Sequence, residues 1–259
     1  MLGLVANYRL LTRDTTNSLQ RIADLPEVSR EVEYYRANIS QVKSIEDLLA
    51  NQRLFSFAMT AFGLGDMVYA KGMMRKALTD GLESPDSFSL RLSDTRFRDF
   101  VETFNFKSLG SATTAFDRTQ QGTIDRYLRQ LFEEKAGETN EGLRLALYFE
   151  RKATDLASVY SILADKAIYQ VVRTTLSLPD AISASDIDKQ AQLLDEKINI
   201  EDFNDSKKLS AFIVRFLSLY EIDSSSAVSS SPALAVLSAP SGIQMNTLLS
   251  LQTIKRFGR

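Results

Sequence analysis

The sequence predicts an all-α, multihelical fold made by internal duplication of a helical unit. Three observations predict it. Apolar residues recur at i, i+3, i+4 and i+7 through most of the chain. Ser, Asp and Gly stand where such stretches would start and stop. Strand-type alternation of apolar and polar residues is absent throughout.

The elements follow in order. Ser44 with Asp47 three residues on reads as an N-cap, and Leu48, Leu49, Phe55, Ala58, Met59 and Phe62 then hold one helical phase. Gly63 and Gly65 supply the positive φ that ends this helix. Asp66 is expected to cap the next, which runs through Met67, Ala70, Met73, Met74 and Ala77 and closes near Gly81. Ser84-Pro85-Asp86 places a cap, a proline at the first helical position and an acid in the first turn. Asp94 starts a short helix with Phe97, Phe100, Val101 and Phe104 on one face. A break rich in Gly, Ser and Thr from Ser108 to Thr114 precedes a helix with Ile124, Tyr127, Leu128 and Leu131 that ends at Gly137. Leu143 to Leu176 is a second periodic stretch, bent near Thr154-Asp155 and closed by Pro179. Asp205 is expected to cap a helix reaching Phe216.

Aligning Leu64 with Leu178 reveals the repeat. Leu49-Ala50-Asn51 then faces Leu163-Ala164-Asp165, Asp66 faces Asp180, and Tyr34-Tyr35 faces Tyr148-Phe149. Further on, with a small change of offset, Phe97, Phe100, Val101 and Phe104 face Leu209, Phe212, Ile213 and Phe216. The chain therefore divides into an N-terminal segment 1–25 and a helical body 26–222 of two related halves, about 26–107 and 140–222. A Ser-rich linker 223–240 and a C-terminal amphipathic helix 241–259 follow. Met245, Leu248, Leu249, Ile254 and Phe257 form the apolar stripe of that last helix and are the candidate partner-binding residues.

Composition narrows the chemistry. The 259 residues are 44% apolar and 25% charged, enough for a real core. A net charge of -2 argues against nucleic-acid binding driven by bulk charge. Cysteine and histidine are both absent, which removes thiolate and imidazole chemistry and the usual zinc ligands. No cofactor or metal is expected. No segment approaches the roughly 20 apolar residues that span a bilayer, and Arg9 and Arg13 interrupt what would be the apolar stretch of a secretory signal.

Several residue groups invite functional readings. Phe62-Gly63-Leu64-Gly65-Asp66 contains GxG but follows a helix, so a helix terminus is favoured over a phosphate loop. Glu31 and Glu33 beside Tyr34 and Tyr35 lie two apart on a helix and point to different faces. Glu201, Asp202, Asn204 and Asp205 lack the central glycine of a calcium loop. Arg144, Glu150 and Arg151 are expected to pair with neighbouring helices. Met59, Met67, Met73 and Met74 read as core filler. Asn38-Ile39-Ser40 matches a glycosylation sequon that has no meaning without export through a secretory signal.

Leu25-Pro26-Glu27-Val28, Glu33 to Ile39, Ala61 to Leu64, Asp66 to Lys71 and Phe104-Asn105-Phe106 carry one half of a recognisable pattern. The run from Asn140 to Ala153 and Ile162 to Ala167 carry the other. Over residues 15–222 the chain resembles a family of uncharacterised proteins encoded in flagellar gene clusters of alpha-proteobacteria. That resemblance implies a duplicated helical fold and a non-enzymatic, structural or assembly role, in the cytoplasm or the flagellar basal body, with flagellar or export-apparatus proteins as partners. It supplies no catalytic residue. An export chaperone or adaptor in the cytoplasm is the alternative. A cell-wall hydrolase running on two carboxylates is a third reading, for which no acid pair stands out.

Overall fold

The computed structural model describes residues 3–92 and 94–229, and no described residue lies in a strand. In chain order the helices are α1 (Leu4–Thr12), α2 (Thr15–Ala23), α3 (Pro26–Asn38), α4 (Ile45–Ala50) and α5 (Gln52–Ala61). Then come α6 (Lys71–Asp80), α7 (Phe88–Arg91), α8 (Thr95–Thr103), α9 (Phe106–Leu109) and α10 (Gln121–Thr139). The remainder are α11 (Glu141–Lys152), α12 (Val159–Ala164), α13 (Lys166–Thr175), α14 (Ile187–Asp195) and α15 (Ser206–Ser229).

The capping chemistry places most boundaries. Ser44 Oγ accepts from the Asp47 N–H at 3.1 Å and opens α4. Asp94 accepts from the Arg96 N–H and opens α8. Asp205 accepts from the N–H groups of Lys207 and Lys208 and opens α15. Each bond satisfies a backbone donor that the first helical turn leaves without a partner.

Other boundaries differ from the sequence reading. The helix expected from Ser44 to Phe62 is broken at Asn51, which closes α4 and caps α5 through its Oδ1. Asp165 does the same between α12 and α13, so the stretch from Leu143 has two interruptions rather than one bend. Gly63 has φ +70, whereas Gly65 opens a 3-10 turn with ordinary φ. Asp66 sits inside that turn, and α6 starts later, after Ala70, without a side-chain cap. Ser84-Pro85-Asp86 forms a turn closed by the Ser87 N–H on the Ser84 carbonyl, and α7 begins only at Phe88. The helix expected to end at Gly137 continues to Thr139.

The core is organised on α10, which packs on α2, α3 and α5 as well as on α11. Its Tyr127 ring stacks on Phe57 at 3.9 Å, and Phe57 stacks on Tyr35 at 4.3 Å. Phe62, Phe100 and Phe104 make a second aromatic cluster, and Phe149, Phe203 and Phe212 a third. Burying one such ring stabilises the fold by about 1.5–3 kcal/mol. The segment 1–25 carries α1 and α2, with Leu4, Tyr8 and Ile22 buried.

One pattern recurs at a constant offset of 114 residues. A 3-10 turn (Ile39–Gln41), α4 and α5 correspond to a 3-10 turn (Ala153–Asp155), α12 and α13. Ser44 and Ser158 cap the first helix of each set, and Asn51 and Asp165 cap the second. The hydroxyl of Tyr34 hydrogen-bonds Asn51, and that of Tyr148 donates to Asp165. Both sets end alike: Gly63 (φ +70) and Ser177 (φ +54) are left-handed. The following N–H groups of Leu64 and Leu178 reach back to the carbonyls of Met59 and Arg173 at 2.8 and 3.0 Å. This is the 6→1 closure of a Schellman motif.

The described residues up to Leu219 form one unit. The second unit starts at Tyr220, and its described residues belong to α15, which thus includes residues 223–229 of the Ser-rich stretch. Residues 230–240 of that stretch lie outside the described residues. So does the expected C-terminal helix with Met245, Leu248, Leu249, Ile254 and Phe257. Among the described residues no helix is long and apolar enough to cross a membrane.

Candidate functional site

A polar cleft of about 420 Å³ lies where the two sets of helices approach each other. One wall is a single face of α11. Arg144, Tyr148, Arg151 and Lys152 are spaced i, i+4, i+7 and i+8, so they project together. The other walls come from the end of α5 at Phe62 and Gly63, from Asp94, Arg96 and Asp99 at α8, and from Arg126 of α10. Asp165 and Lys166, at the junction of α12 and α13, close it. A neighbouring hollow of about 640 Å³ shares Asp99, Arg126, Lys152 and Asp165 with the cleft and adds the apolar side chains of Leu156 and Ile168.

The charges around the cleft are largely matched. Arg96 grips Asp94 through Nε and a terminal nitrogen, at 2.8–3.1 Å, and also donates to the Gly63 carbonyl. It therefore ties the start of α8 to the end of α5. Lys152 reaches Asp99 at 2.9 Å. Arg144 pairs with Glu141 on its own helix, and its stem packs against Gly137, where a Cβ would meet it at 3.0 Å. Arg151 makes a bidentate pair with Glu133 at 2.6 and 2.8 Å. Glu133 is 1% exposed, so this pair is set into the contact between α10 and α11. Removing one partner of such a pair leaves a buried charge and typically costs about 3–5 kcal/mol.

Tyr148 donates to Asp165 Oδ2 at 2.6 Å while Asp165 Oδ1 accepts from the N–H groups of Ala167 and Ile168. Burial, then the Asp165 charge, pushes the Tyr148 phenol far above the usual tyrosine range. The phenol therefore keeps its proton and acts as a donor that orients the carboxylate. The Arg151 guanidinium lies over its ring, 5.0 Å from the centroid. Burial first, opposed by hydrogen bonds from Arg96, sets Asp94, and the net effect holds its carboxyl below the usual range.

Two cations remain. Arg126 lies over the Phe62 ring at 5.0 Å, and Lys166 is the first residue of α13. Among the described residues neither has a carboxylate partner. Both are exposed.

The residues singled out from the sequence are dispersed. Arg151 pairs with a neighbouring helix as expected, whereas Arg144 does not, and Glu150 meets the phenol of Tyr8. Burial raises the Glu150 carboxyl, partly offset by that phenol and by Arg129. Glu31 pairs with Arg53 of α5, and Glu33 accepts from Ser29, so the two acids face different neighbours. Asp202 pairs with Lys208 and Asp205 is a cap. Met59 and Met74 are in the core, while Met67 and Met73 are half-buried. Asn38 donates to the Tyr34 carbonyl. Arg96, Arg126, Tyr148 and Lys166 were not singled out. The helical spacing of Arg144, Tyr148 and Arg151 was the available signal for one wall.

Fold and cleft define a multihelical all-α protein with a charge-lined cleft between two similar helical sets. The model of a family described as protein of unknown function (DUF1217) matches residues 61–209. The crystal structure of a protein from Agrobacterium tumefaciens is 44% identical in sequence, covering 84% of this chain and 93% of that chain, with a TM-score of 0.79. No curated protein matches. The chain belongs to the DUF1217 family.

Proposed function

We propose that this chain is a non-enzymatic, flagellum-associated structural or assembly protein that acts through protein–protein contacts. Two observations support the reading. The Asn140 to Ala153 run that carries the resemblance to proteins of flagellar gene clusters forms α11, a wall of the cleft. The cleft itself is the observation that carries the proposal. Its carboxylates are engaged by guanidinium, ammonium, phenol or helix N–H groups, and its phenol holds its proton. Such a lining suits holding a charged segment of a partner rather than moving protons on a substrate. The matched element bounds, caps and chain reversals at an offset of 114 residues support descent by internal duplication.

The test is deletion of the gene, followed by a swimming assay and imaging of filaments, with fractionation of the tagged protein. Loss of swimming with incomplete filaments, and co-purification with basal bodies, is the expected result. Normal swimming and normal filaments would overturn the proposal. A pulldown with and without residues 223–259 reads the contribution of Met245, Leu248, Leu249, Ile254 and Phe257. Unchanged capture of flagellar components would remove them from the interface.

The cytoplasmic export chaperone is favoured by a second feature. A groove of about 520 Å³ between α3 and α10 combines Ile22, Leu25, Val28 and Leu131 with charged residues of both signs, among them Glu31, Arg53 and Lys135. A mixed lining of this kind can meet both the apolar and the charged face of an amphipathic helix. Recovery of all the protein in the soluble cytoplasmic fraction, bound to an unassembled flagellar chain, selects this alternative over the structural one.

A further inference from the structure

We infer that the cleft between the helical sets takes an acidic peptide segment of a partner, anchored by Arg126 and Lys166. This rests on the reading of the chain as a protein-binding component and gives the partner a chemistry.

Charge comes first. Six cations line the cleft, and four of them, Arg96, Arg144, Arg151 and Lys152, are already neutralised by carboxylates. Among the described residues, Arg126 and Lys166 are the cations of the cleft left without a carboxylate, in a chain whose net charge is -2. The Arg126 guanidinium lies over the Phe62 ring, 5.0 Å from its centroid, and is exposed. Lys166 stands exposed in the first turn of α13 and lines the cleft.

Shape comes second. The cleft and the adjoining hollow, about 420 and 640 Å³, are neighbours that share lining residues. Either one is larger than a lone oxyanion needs, and a short peptide segment can lie across both. The adjoining part offers Leu156 and Ile168 for apolar side chains between the acids.

The same lining argues against nucleic acid. A phosphodiester track wants an uninterrupted basic stripe. Here Asp94, Asp99 and Asp165 stand among the cations, and in the adjoining hollow Glu102 and Asp155 interrupt Arg98 and Arg118. A peptide with spaced carboxylates avoids these acids, whereas a polyphosphate meets them.

The experiment is fluorescence anisotropy of a labelled, glutamate-rich 10-residue peptide with the purified full chain at low salt. The Arg126→Ala/Lys166→Ala double variant is compared with the exposed α14 control Lys189→Ala. Circular dichroism checks that each variant folds. The expected result is saturable binding, weakened about tenfold or more in the double variant and unchanged in the control. The charge-reversed pair Arg126→Glu/Lys166→Glu is expected to lose the acidic peptide and gain a lysine-rich one. No saturable binding, equal binding by the double variant, or tighter binding of a single-stranded oligonucleotide through the same two residues each overturns the inference. Failure here leaves the flagellar reading intact if the pulldown still captures flagellar proteins. Success here with a normally swimming deletion strain retains the cleft and removes the flagellar role.

Discussion

Ser177 is the one non-glycine residue with positive φ among the described residues, at +54. Its counterpart 114 positions earlier is Gly63, and both close a helix with the same backbone bonds. An L side chain in this region costs about 1–2 kcal/mol, and glycine gives back about 0.5–1 kcal/mol through its unfolded-state freedom. Ser177→Gly is therefore expected to stabilise the fold by about 0.5 kcal/mol, a rise of roughly 1–2 °C in Tm. The reverse change, Gly63→Ala, is expected to lower Tm. A Cβ there meets nothing closer than 3.5 Å, so backbone conformation alone sets that cost. A drop in Tm for Ser177→Gly would contradict the argument. Gly63 was legible as a helix end because glycine signals positive φ. Ser177 was not, because serine is common in every local structure. Glu150 offers a second test at this scale. Burial, partly offset by Tyr8 and Arg129, raises its carboxyl in the folded state. The folded chain then binds this proton more tightly than the unfolded chain does. Its contribution to stability falls as pH rises from the unfolded value near 4.3 through the raised folded value. Glu150→Gln is expected to match the parent below about pH 4 and to melt at higher temperature at pH 7. Carboxyls lowered by partners, such as Asp94 and Asp47, are lost to acid in both proteins and cancel in the difference. Melting curves from pH 4 to pH 8 check this, and a gap independent of pH refutes it.

At the scale of elements, the capped starts at Ser44, Asp94 and Asp205 were readable because an oxygen-bearing side chain precedes an apolar phase. The breaks at Asn51 and Asp165 were not. Each is a single residue that ends one helix and starts the next, so the apolar phase is hardly displaced across it. What the sequence did carry was their kinship, as Leu-Ala-Asn and Leu-Ala-Asp at the same place in the repeat. The cleft was illegible for a different reason. Its charged groups come from four helices separated along the chain, and only the face of α11 has a local period. Asp165 tests how the junction works. Its two oxygens serve the start of α13 and the Tyr148 hydroxyl. Asp165→Ala is expected to cost about 2 kcal/mol, from a lost cap and a half-buried hydroxyl without its acceptor. Asp165→Asn is expected to cost less than half of that, since Asn51 performs both tasks in the first set. Chemical denaturation of the two variants measures this, and equal losses would show that the charge, not the cap, is what matters there.

At the scale of the molecule, α10 joins the first set of helices to the second. It packs on α2, α3 and α5 of one part and on α11 of the other. Its links are of two kinds. The Tyr127–Phe57–Tyr35 stack is aromatic, and the Tyr35 hydroxyl donates to the Thr119 carbonyl at 2.6 Å. The Glu133–Arg151 pair is ionic and buried on the glutamate side. A central helix shared in this way leaves neither set with a complete core of its own. Residues 3–219 are therefore expected to unfold as one cooperative step despite their repeat. Tyr127→Ala removes the ring that holds α10 to Phe57 and is expected to cost about 3–5 kcal/mol. The loss should appear equally in the far-ultraviolet helix signal and in tyrosine fluorescence, the latter being available because the chain has no tryptophan. If instead the first set melted early while the signal of the second persisted, the two would be separate folding units. The α10–α11 contact would then be an interface between domains rather than part of one core.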